Sequence, residues 1–265
     1  MFLNWLTIFQ SMTRYVFLSH DVDWKFSGPS KKHILERRDR FDKSVLDNLD
    51  IVNPYNNFNQ IMTIEEKYGC HSTFFFRTKY EDGDFREYEN QICELEQGGW
   101  EIGLHLDPSS IYDISNITKE YDDLSSITKN KILGNRVHYL NYDDSLLPKL
   151  KKLGLKYDSS LKFSKSKLVD ADFGFYRKDI LQFPVTIMDA YLFTYMGITE
   201  KNILSFFEQV IKKDTLFTIV WHDNVLRMKG GRMYADVIKY LHSNDVVFCT
   251  GNEICDLIEN HEYFL

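Results

Sequence analysis

Short apolar runs alternate with longer polar or amphipathic runs about seven times along this chain. The apolar runs are rich in β-branched and aromatic residues, which is typical of buried strands, and the runs between them are typical of helices. A strand that is followed by a helix and another strand requires a parallel pair joined by a crossover. The pattern therefore predicts an α/β fold, and about seven such units suffice for a distorted (β/α) barrel of about seven parallel strands.

The boundaries of the predicted elements follow from apolar periodicity and from the Gly, Pro and Asn residues that interrupt it. The irregular stretch 161–178 is predicted to be a long loop. Strands are predicted at 15–18, 71–78, 100–105, 135–140, 156–160, 183–186, 215–222 and 246–250, and helices at 55–68, 84–97, 117–131, 143–153, 199–213, 234–242 and 251–259.

Composition predicts one domain with one core. The chain has 265 residues, of which 43% are hydrophobic and 15% aromatic, and it shows no internal repeat or linker. We expect residues 15–265 to form a single domain after a lead-in of residues 1–14, with Met1 or Met12 as the start. The lead-in has an apolar run but neither the basic region nor the cleavage site of a secretion signal, and it is too short to span a bilayer. A cytoplasmic protein with at most weak membrane contact is expected.

Charge and cysteine content exclude two classes of function. The formal net charge of -7 argues against a general nucleic-acid binder, which would carry a basic surface. The four cysteines are scattered without C-x-x-C spacing, so neither a zinc knuckle nor a redox motif is indicated. Unpaired cysteines fit a reducing compartment.

Charged and imidazole side chains follow several of the predicted strands. Asp21 and Asp23 lie at the end of the first strand, where side-chain alternation points both carboxylates to one side. Two such carboxylates repel unless a cation or a shared proton relieves them. Active sites of barrels and open α/β sheets form at the carboxyl edge of the strands. The other residues expected at this edge are His105, Arg136, Asp158 and His222.

Structural roles could also explain these residues one by one. Asp21 and Asp23 could end a solvated strand, and Asp158 could begin a turn. His222 could be a core histidine that pairs with Asp223, and Arg136 could be a surface cation. Their shared position at one strand edge favours a site.

The order of these motifs resembles the polysaccharide deacetylases, the NodB-homology family of carbohydrate esterases, from about Tyr15 to Ile258. The resemblance implies a single catalytic domain that binds a divalent metal, with Zn²⁺ expected first and Co²⁺, Ni²⁺ or Mn²⁺ as alternatives. Asp21-Val22-Asp23 is similar to the family's first motif, which implies that Asp21 is the base and Asp23 a metal ligand.

The second motif of the family is matched only in part. Gly103-Leu104-His105 corresponds to its first half, which implies that His105 is a ligand, but Ser109 stands where the family has a second histidine. A serine hydroxyl binds zinc poorly, whereas a neutral imidazole binds it well. His138 would leave its strand on the same face as Arg136 and is the predicted substitute. The alternative is a weak metal site or none.

The remaining motifs imply the acid–base residues. Arg136 corresponds to an arginine beside the base, although His138 replaces the proline that usually follows in the family. His222 corresponds to a catalytic acid, and Asp158 to the carboxylate that orients it. The resemblance thus implies hydrolysis of an N- or O-acyl group, usually acetyl, from a sugar, sugar nucleotide or lipid-linked glycan. The residues expected to contact the substrate are Trp24, Tyr139, Trp221 and Ser109.

Three other functions stay open from the sequence. Barrel relatives with altered ligands could hydrolyse a cyclic amide or ureide. A metal-poor relative could bind a glycan without cleaving it, as the serine at position 109 would allow. A glycosyltransferase could use Asp21 and Asp23 to hold a metal–diphosphate, but such an enzyme would have no need for His105 or His222.

Overall fold

A computed structural model describes residues 13–162 and 167–260, so the predicted lead-in lies outside the described residues except for its last two. Within these residues one sheet contains ten strands. The strands are β1 Arg14–Val22, β2 Thr73–Phe76, β3 Glu101–Leu106, β4 Gly134–Val137, β5 Tyr157–Asp158, β6 Tyr176–Arg177, β7 Leu181–Gln182, β8 Ile187–Met188, β9 Leu216–Val220 and β10 Val246–Cys249.

Helices connect most of these strands and cover the sheet. None of the helices in the described part of the chain is long and apolar enough to cross a bilayer. They are α1 Lys31–Glu36, α2 Lys43–Leu46, α3 Phe58–Lys67, α4 Glu89–Gly98, α5 Ile114–Ser125, α6 Leu147–Lys152, α7 Asp189–Thr194, α8 Ile203–Val210, α9 Tyr234–His242 and α10 Gly251–Glu259.

The sheet is centred on β1, which is buried along most of its length and pairs in parallel with β2, β9 and β10. The strand order is β6-β7-β5-β4-β3-β2-β1-β9-β8, and the β6–β7 pair is antiparallel. Residues 181–188 pair with β5 at one end and with β9 at the other. A parallel bridge between Lys162 and Val185 lies between those two pairings. The sheet therefore curls into a distorted barrel of mainly parallel strands, which confirms the predicted fold class.

Aromatic side chains fill the barrel interior. The ring of Phe17 lies 5.6 Å from that of Tyr157 and 5.5 Å from that of Phe183, with edge-to-face geometry. A Cβ at Gly134 would lie 2.0 Å from the Tyr157 ring, so only glycine fits beside it. The Arg136 guanidinium lies 4.3 Å above the ring of Phe75. This aromatic layer therefore lies directly beneath the polar groups at the carboxyl edge.

The connection between β1 and α3, residues 23–57, forms a separate small layer over the carboxyl edge. Its own apolar cluster contains Ile34, Phe41 and Tyr55, which pack with Met228. An antiparallel bridge between Phe41 and Met228 holds the connection against the loop after β9. This layer supplies one wall above the strand ends.

Candidate active site and metal centre

Asp21 and Arg136 form a buried ion pair at the carboxyl edge. The Nη1 of Arg136 donates to Oδ1 of Asp21 at 2.7 Å, and it also donates to Ser19 Oγ at 2.9 Å. The other guanidinium donors reach the backbone oxygen and the hydroxyl of Ser159 at 3.0 and 2.8 Å. Burial by itself would raise the pKa of Asp21, but the charge of Arg136, followed by those of His105 and His222, leaves that pKa below its ordinary value. Asp21 is therefore an ionised carboxylate that is held in place by an arginine.

Asp23, His105 and His138 bring three metal-binding atoms together, all within 4.8 Å of one another. The Oδ1 of Asp23 lies 3.2 Å from Nε2 of His105 and 3.5 Å from Nε2 of His138. Two ligands of a tetrahedral ion with bonds of about 2.1 Å are separated by about 3.4 Å. The two distances from Asp23 to the imidazoles therefore suit one zinc-sized ion.

The orientation of His105 and the pKa values of His138 and Asp23 also suit a divalent cation. The Nδ1–H of His105 donates to the backbone oxygen of Arg136 at 2.9 Å, which turns its Nε2 toward Asp23, the side on which an ion would lie. Burial is the main cause that lowers the pKa of His138 to about 4, although Asp23 opposes it. Burial alone would raise the pKa of Asp23, but its hydrogen bond with His105 and the charge of His222 hold it well below the usual range. One carboxylate and two imidazoles are an ordinary zinc donor set.

The backbone around His138 is unusual. β4 ends at Val137, one residue earlier than would be needed for His138 to lie in the strand, and a short 3-10 turn follows at His138–Leu140. Tyr139 and Leu140 both have positive φ, 62° and 52°, in a region that costs non-glycine residues free energy. The Tyr139 ring stacks on the imidazole of His138 at 3.8 Å between centroids. This turn sets the position of the imidazole beside Asp23.

His222 is oriented by Asp189. Its Nδ1 lies 2.7 Å from Oδ1 of Asp189, its backbone N–H donates to Oδ2 at 2.8 Å, and its Nε2 lies 3.6 Å from Oδ2 of Asp23. Burial would lower the pKa of His222, but the contact and charge of Asp189, with Asp23 and Asp21, raise it to about 10. This imidazole is therefore positively charged at neutral pH.

The structure corrects the prediction that Asp158 orients His222. Asp158 accepts hydrogen bonds from Asn135 Nδ2 and from the Ser160 hydroxyl, both at 2.7 Å, and so holds the end of β5. β8 is the neighbour of β9, with Met188 opposite Val220, so the residue after Met188 lies beside the residues after Val220. Asp189 takes the orienting position for that reason.

Two of the four residues that were predicted to contact the substrate lie away from the site. Trp221 is fully buried, and its Nε1 donates to the backbone oxygen of Gly231 at 3.1 Å, so it cannot stack on a sugar. Ser109 is exposed in the turn after β3, where its backbone N–H donates at 2.9 Å to the side chain of Asp107, the N-cap of a short 3-10 helix. The ring of Trp24 and the ring of Tyr139, which is 76% exposed, do line a cleft beside Asp23.

This cleft has a volume of about 800 Å³ and reaches His138 and Asp23 at its inner end. Its outer walls come from residues 24–33 and from the loop after β2. Arg77 lies in that loop, directly after β2, and sequence reasoning assigned it no role. Clefts of this size hold small ligands. The edge that carries the charged groups is thus also the edge that is open to a substrate.

Known structures share this fold. A Mycobacterium smegmatis protein described as a polysaccharide deacetylase superposes with a TM-score of 0.65 at 15% identity, over 95% of this chain and 92% of that one. The peptidoglycan deacetylase PdaC from Bacillus subtilis superposes with a TM-score of 0.55 at 15% identity, over 94% of both chains. A CE4 family pseudoenzyme from Bacillus anthracis gives 0.55 at 11% identity, over 92% of this chain and 66% of that one.

No protein-family model and no curated protein matches the sequence itself. The similarity therefore lies in the path of the chain, which is that of the CE4 polysaccharide deacetylases. Because one structure with this fold is a pseudoenzyme, the fold occurs with and without activity. The side chains at the carboxyl edge must carry any functional argument.

Proposed function

We propose that the protein is a metal-dependent hydrolase that removes an acyl group, usually acetyl, from the nitrogen or oxygen of a sugar or glycan intermediate. The observation that carries this proposal is the meeting of three groups at one strand edge. They are a possible metal triad, an aspartate held ionised by an arginine, and a charged histidine held by a second aspartate. The fold, which is that of CE4 deacetylases, supports the same chemistry.

Asp23, His105 and His138 would hold the metal. When bound, a divalent ion lowers the pKa of water and polarises a carbonyl group. Zn²⁺ fits the donor set best, and Co²⁺, Ni²⁺ and Mn²⁺ are alternatives.

Asp21 is the proposed base. Its Oδ1 is engaged by Arg136, whereas its Oδ2 faces the metal triad, 3.9 Å from His105 Nε2. Oδ2 is therefore the atom that takes a proton from the attacking water. The arginine keeps the carboxylate ionised and prevents it from rotating away.

His222 is the proposed acid. Its Nδ1 is held by Asp189, so the Nε2–H on the other side of the ring points toward Asp23 and the site. The proton on Nε2 can pass to the leaving amine or alkoxide. Trp24 and Tyr139 at the cleft walls would stack on the sugar ring.

Acetate release from an acetylated chito-oligosaccharide tests the proposal. We expect release by the zinc-loaded protein, loss of release after chelation and its return when zinc is added. Asp21→Asn should lower the rate of release about 10²–10⁴-fold without changing the zinc content. Ser109→Ala is the matched control because Ser109 lies outside the triad. Release that survives chelation, or an Asp21→Asn protein that is as active as the wild type, would contradict the proposal. A protein that binds zinc and the oligosaccharide but releases no acetate would be a glycan-binding relative.

A further inference from the structure

Two buried arginines lie at the carboxyl edge, and they differ in how well their donors are satisfied. Arg136 makes four hydrogen bonds through all three of its nitrogens. Arg77 is also buried, with 6% of its surface exposed, yet among the described residues it donates one hydrogen bond, from Nη1 to the backbone oxygen of Asp23 at 3.1 Å. A guanidinium has five N–H donors, and buried donors without partners cost free energy.

The other neighbours of the Arg77 guanidinium are the ring of Tyr80, at 5.3 Å, and two carboxylates, and none of them accepts a hydrogen bond from it. Its Nε is buried without a hydrogen-bond partner. Its Nη2 lies 3.7 Å from Asp107 and 3.9 Å from Glu81, beyond hydrogen-bonding distance. The Glu81 side chain is 83% exposed, so it can move away at little cost. Arg77 lines the cleft beside the metal triad, which makes a ligand in that cleft its available partner.

One wall of the cleft comes from the start of a stretch that is basic in an acidic chain. Residues 25–43 carry seven Lys and Arg against three Asp and Glu, a formal charge of +4 in a chain of net charge -7. Lys25 and His33 from this stretch line the cleft with Arg77. The Asp82 partner of Lys25 is 74% exposed, so Lys25 can exchange it for a ligand. Three carboxylates, those of Asp23, Glu81 and Asp82, line the same cleft. Asp23 would be bound to the metal, and the side chains of the other two are 83% and 74% exposed, so Arg77 and Lys25 can offer their donors to an anion.

We infer that the cleft binds an acetylated sugar that carries an anionic group, a phosphate or a carboxylate, and that Arg77 binds this group through its Nη atoms. The acetyl group in this inference rests on the proposed function, whereas the anionic group rests on the contacts of Arg77 alone. The planar fork of arginine matches two oxygens of either group. Arg77 would thereby determine specificity rather than take part in acyl transfer.

Calorimetric titration of the full chain tests the inference with three matched sugars. They are N-acetylglucosamine, which is neutral, its 1-phosphate, and N-acetylmuramic acid, which carries a carboxylate. Titrations are done on metal-free protein, so that an oxyanion cannot gain affinity by binding the ion, and are repeated with zinc. We expect at least one anionic sugar to bind about tenfold or more tightly than the neutral one, the magnitude of a charge-assisted hydrogen bond. Whichever of the two anionic sugars binds more tightly shows whether the site prefers a phosphate or a carboxylate.

Variants then locate the anion. Arg77→Gln should lose the preference, and Arg77→Lys should retain part of it. Arg86→Gln is the control because Arg86 is 56% exposed and lies outside the cleft lining. If Arg77→Gln does not fold, Lys25→Gln should still weaken binding of the anionic sugar relative to the neutral one. Equal affinity for neutral and anionic sugars, or a preference that Arg77→Gln and Lys25→Gln leave unchanged, would overturn the inference.

Acetate release from the same three sugars by the zinc-loaded protein keeps the two proposals apart. Charge-dependent binding without acetate release removes the proposed function and leaves the anion subsite in place. Equal release from neutral and anionic sugars, with equal affinities, removes the subsite and leaves the hydrolase.

Discussion

The inner and outer halves of the candidate site are built differently. The inner half, around Asp21 and Arg136, is buried, and the guanidinium is hydrogen-bonded at each nitrogen. The outer half, around Asp23 and Arg77, faces the cleft, and there a buried guanidinium has a single hydrogen bond among the described residues. An arginine whose donors all have partners keeps one geometry, whereas an arginine with unused donors can accept a ligand. We therefore assign positioning of the base to the inner half and binding of metal and substrate to the outer half.

The largest expected effect comes from removing the base in the inner half. Asp21→Asn keeps the shape of the side chain but removes the proton acceptor, and we expect kcat for acetate release to fall about 10²–10⁴-fold. Zinc content measured by mass spectrometry should stay the same. A parallel loss of zinc would place Asp21 among the ligands and would break the division between the two halves.

Removing a ligand in the outer half should have a different signature. His138→Ala leaves a carboxylate and one imidazole, fewer than the three protein ligands usual in catalytic zinc sites. We expect the zinc content of the purified variant to fall from about one ion per chain to below about 0.1. Ser109→Ala should keep its zinc. A fully loaded His138→Ala protein would show that another residue supplies the third ligand.

The inner half should also contribute more to stability. Arg136→Met removes one partner of a buried ion pair and strands the Asp21 carboxylate, so we expect a loss of about 3–5 kcal/mol in the free energy of unfolding. Arg77→Met should cost much less, because that guanidinium makes one hydrogen bond in the described structure. Urea denaturation of both variants measures the contrast, and equal losses would contradict it.

The His222–Asp189 pair predicts a pH dependence. The pKa of His222 is raised to about 10, from about 6.5 in an unfolded chain. The pair therefore stabilises the folded state fully below about pH 6.5, and this contribution is lost as the pH rises through about 10. In Asp189→Asn the pKa of His222 should fall, because burial then opposes the charged ring without its main compensating carboxylate. NMR titration of the metal-free protein measures the pKa directly, and an unchanged value in the variant would exclude Asp189 as the cause.

The smallest expected effect is at the cleft wall. Tyr139 is 76% exposed and contacts the site through its stacking on His138. We expect Tyr139→Ala to raise KM several-fold, as is typical for the loss of one aromatic contact with a sugar, and to leave kcat within about threefold. A large fall in kcat would instead show that the stacked ring holds the His138 ligand in place.

Sequence reasoning succeeded where residues belong to long apolar strands and failed where strands are short. The runs around β1, β3 and β9 are apolar enough to locate, and the predicted helices at 234–242 and 251–259 coincide with α9 and α10. The predicted strand 183–186 forms instead as two short strands, β7 and β8, and Asp189 directly follows β8, three residues beyond the predicted end. The family resemblance instead implied Asp158, which lies in the predicted strand 156–160.

Side-chain alternation within a strand predicted His138 as a ligand, but the assumption that His138 lies in the strand was wrong. His138 does lie beside Asp23, but it lies in the turn after β4 and not in the strand. Arg77 was missed for a different reason. The sequence shows that an arginine follows β2, but not that the surrounding structure leaves its donors unsatisfied.

The sequence by itself determined the strand–helix alternation, the fold class and the residue types available at the carboxyl edge, because these depend on local polarity and on spacing along the chain. Tertiary structure alone decided which acid orients His222, how His138 reaches the triad and which arginine lacks partners. Those relations depend on register between strands that are far apart in the chain and on the packing of turns over their ends. Hydrogen bonds form or fail over a few tenths of an ångström, and no pattern in the order of residues encodes distances of that size.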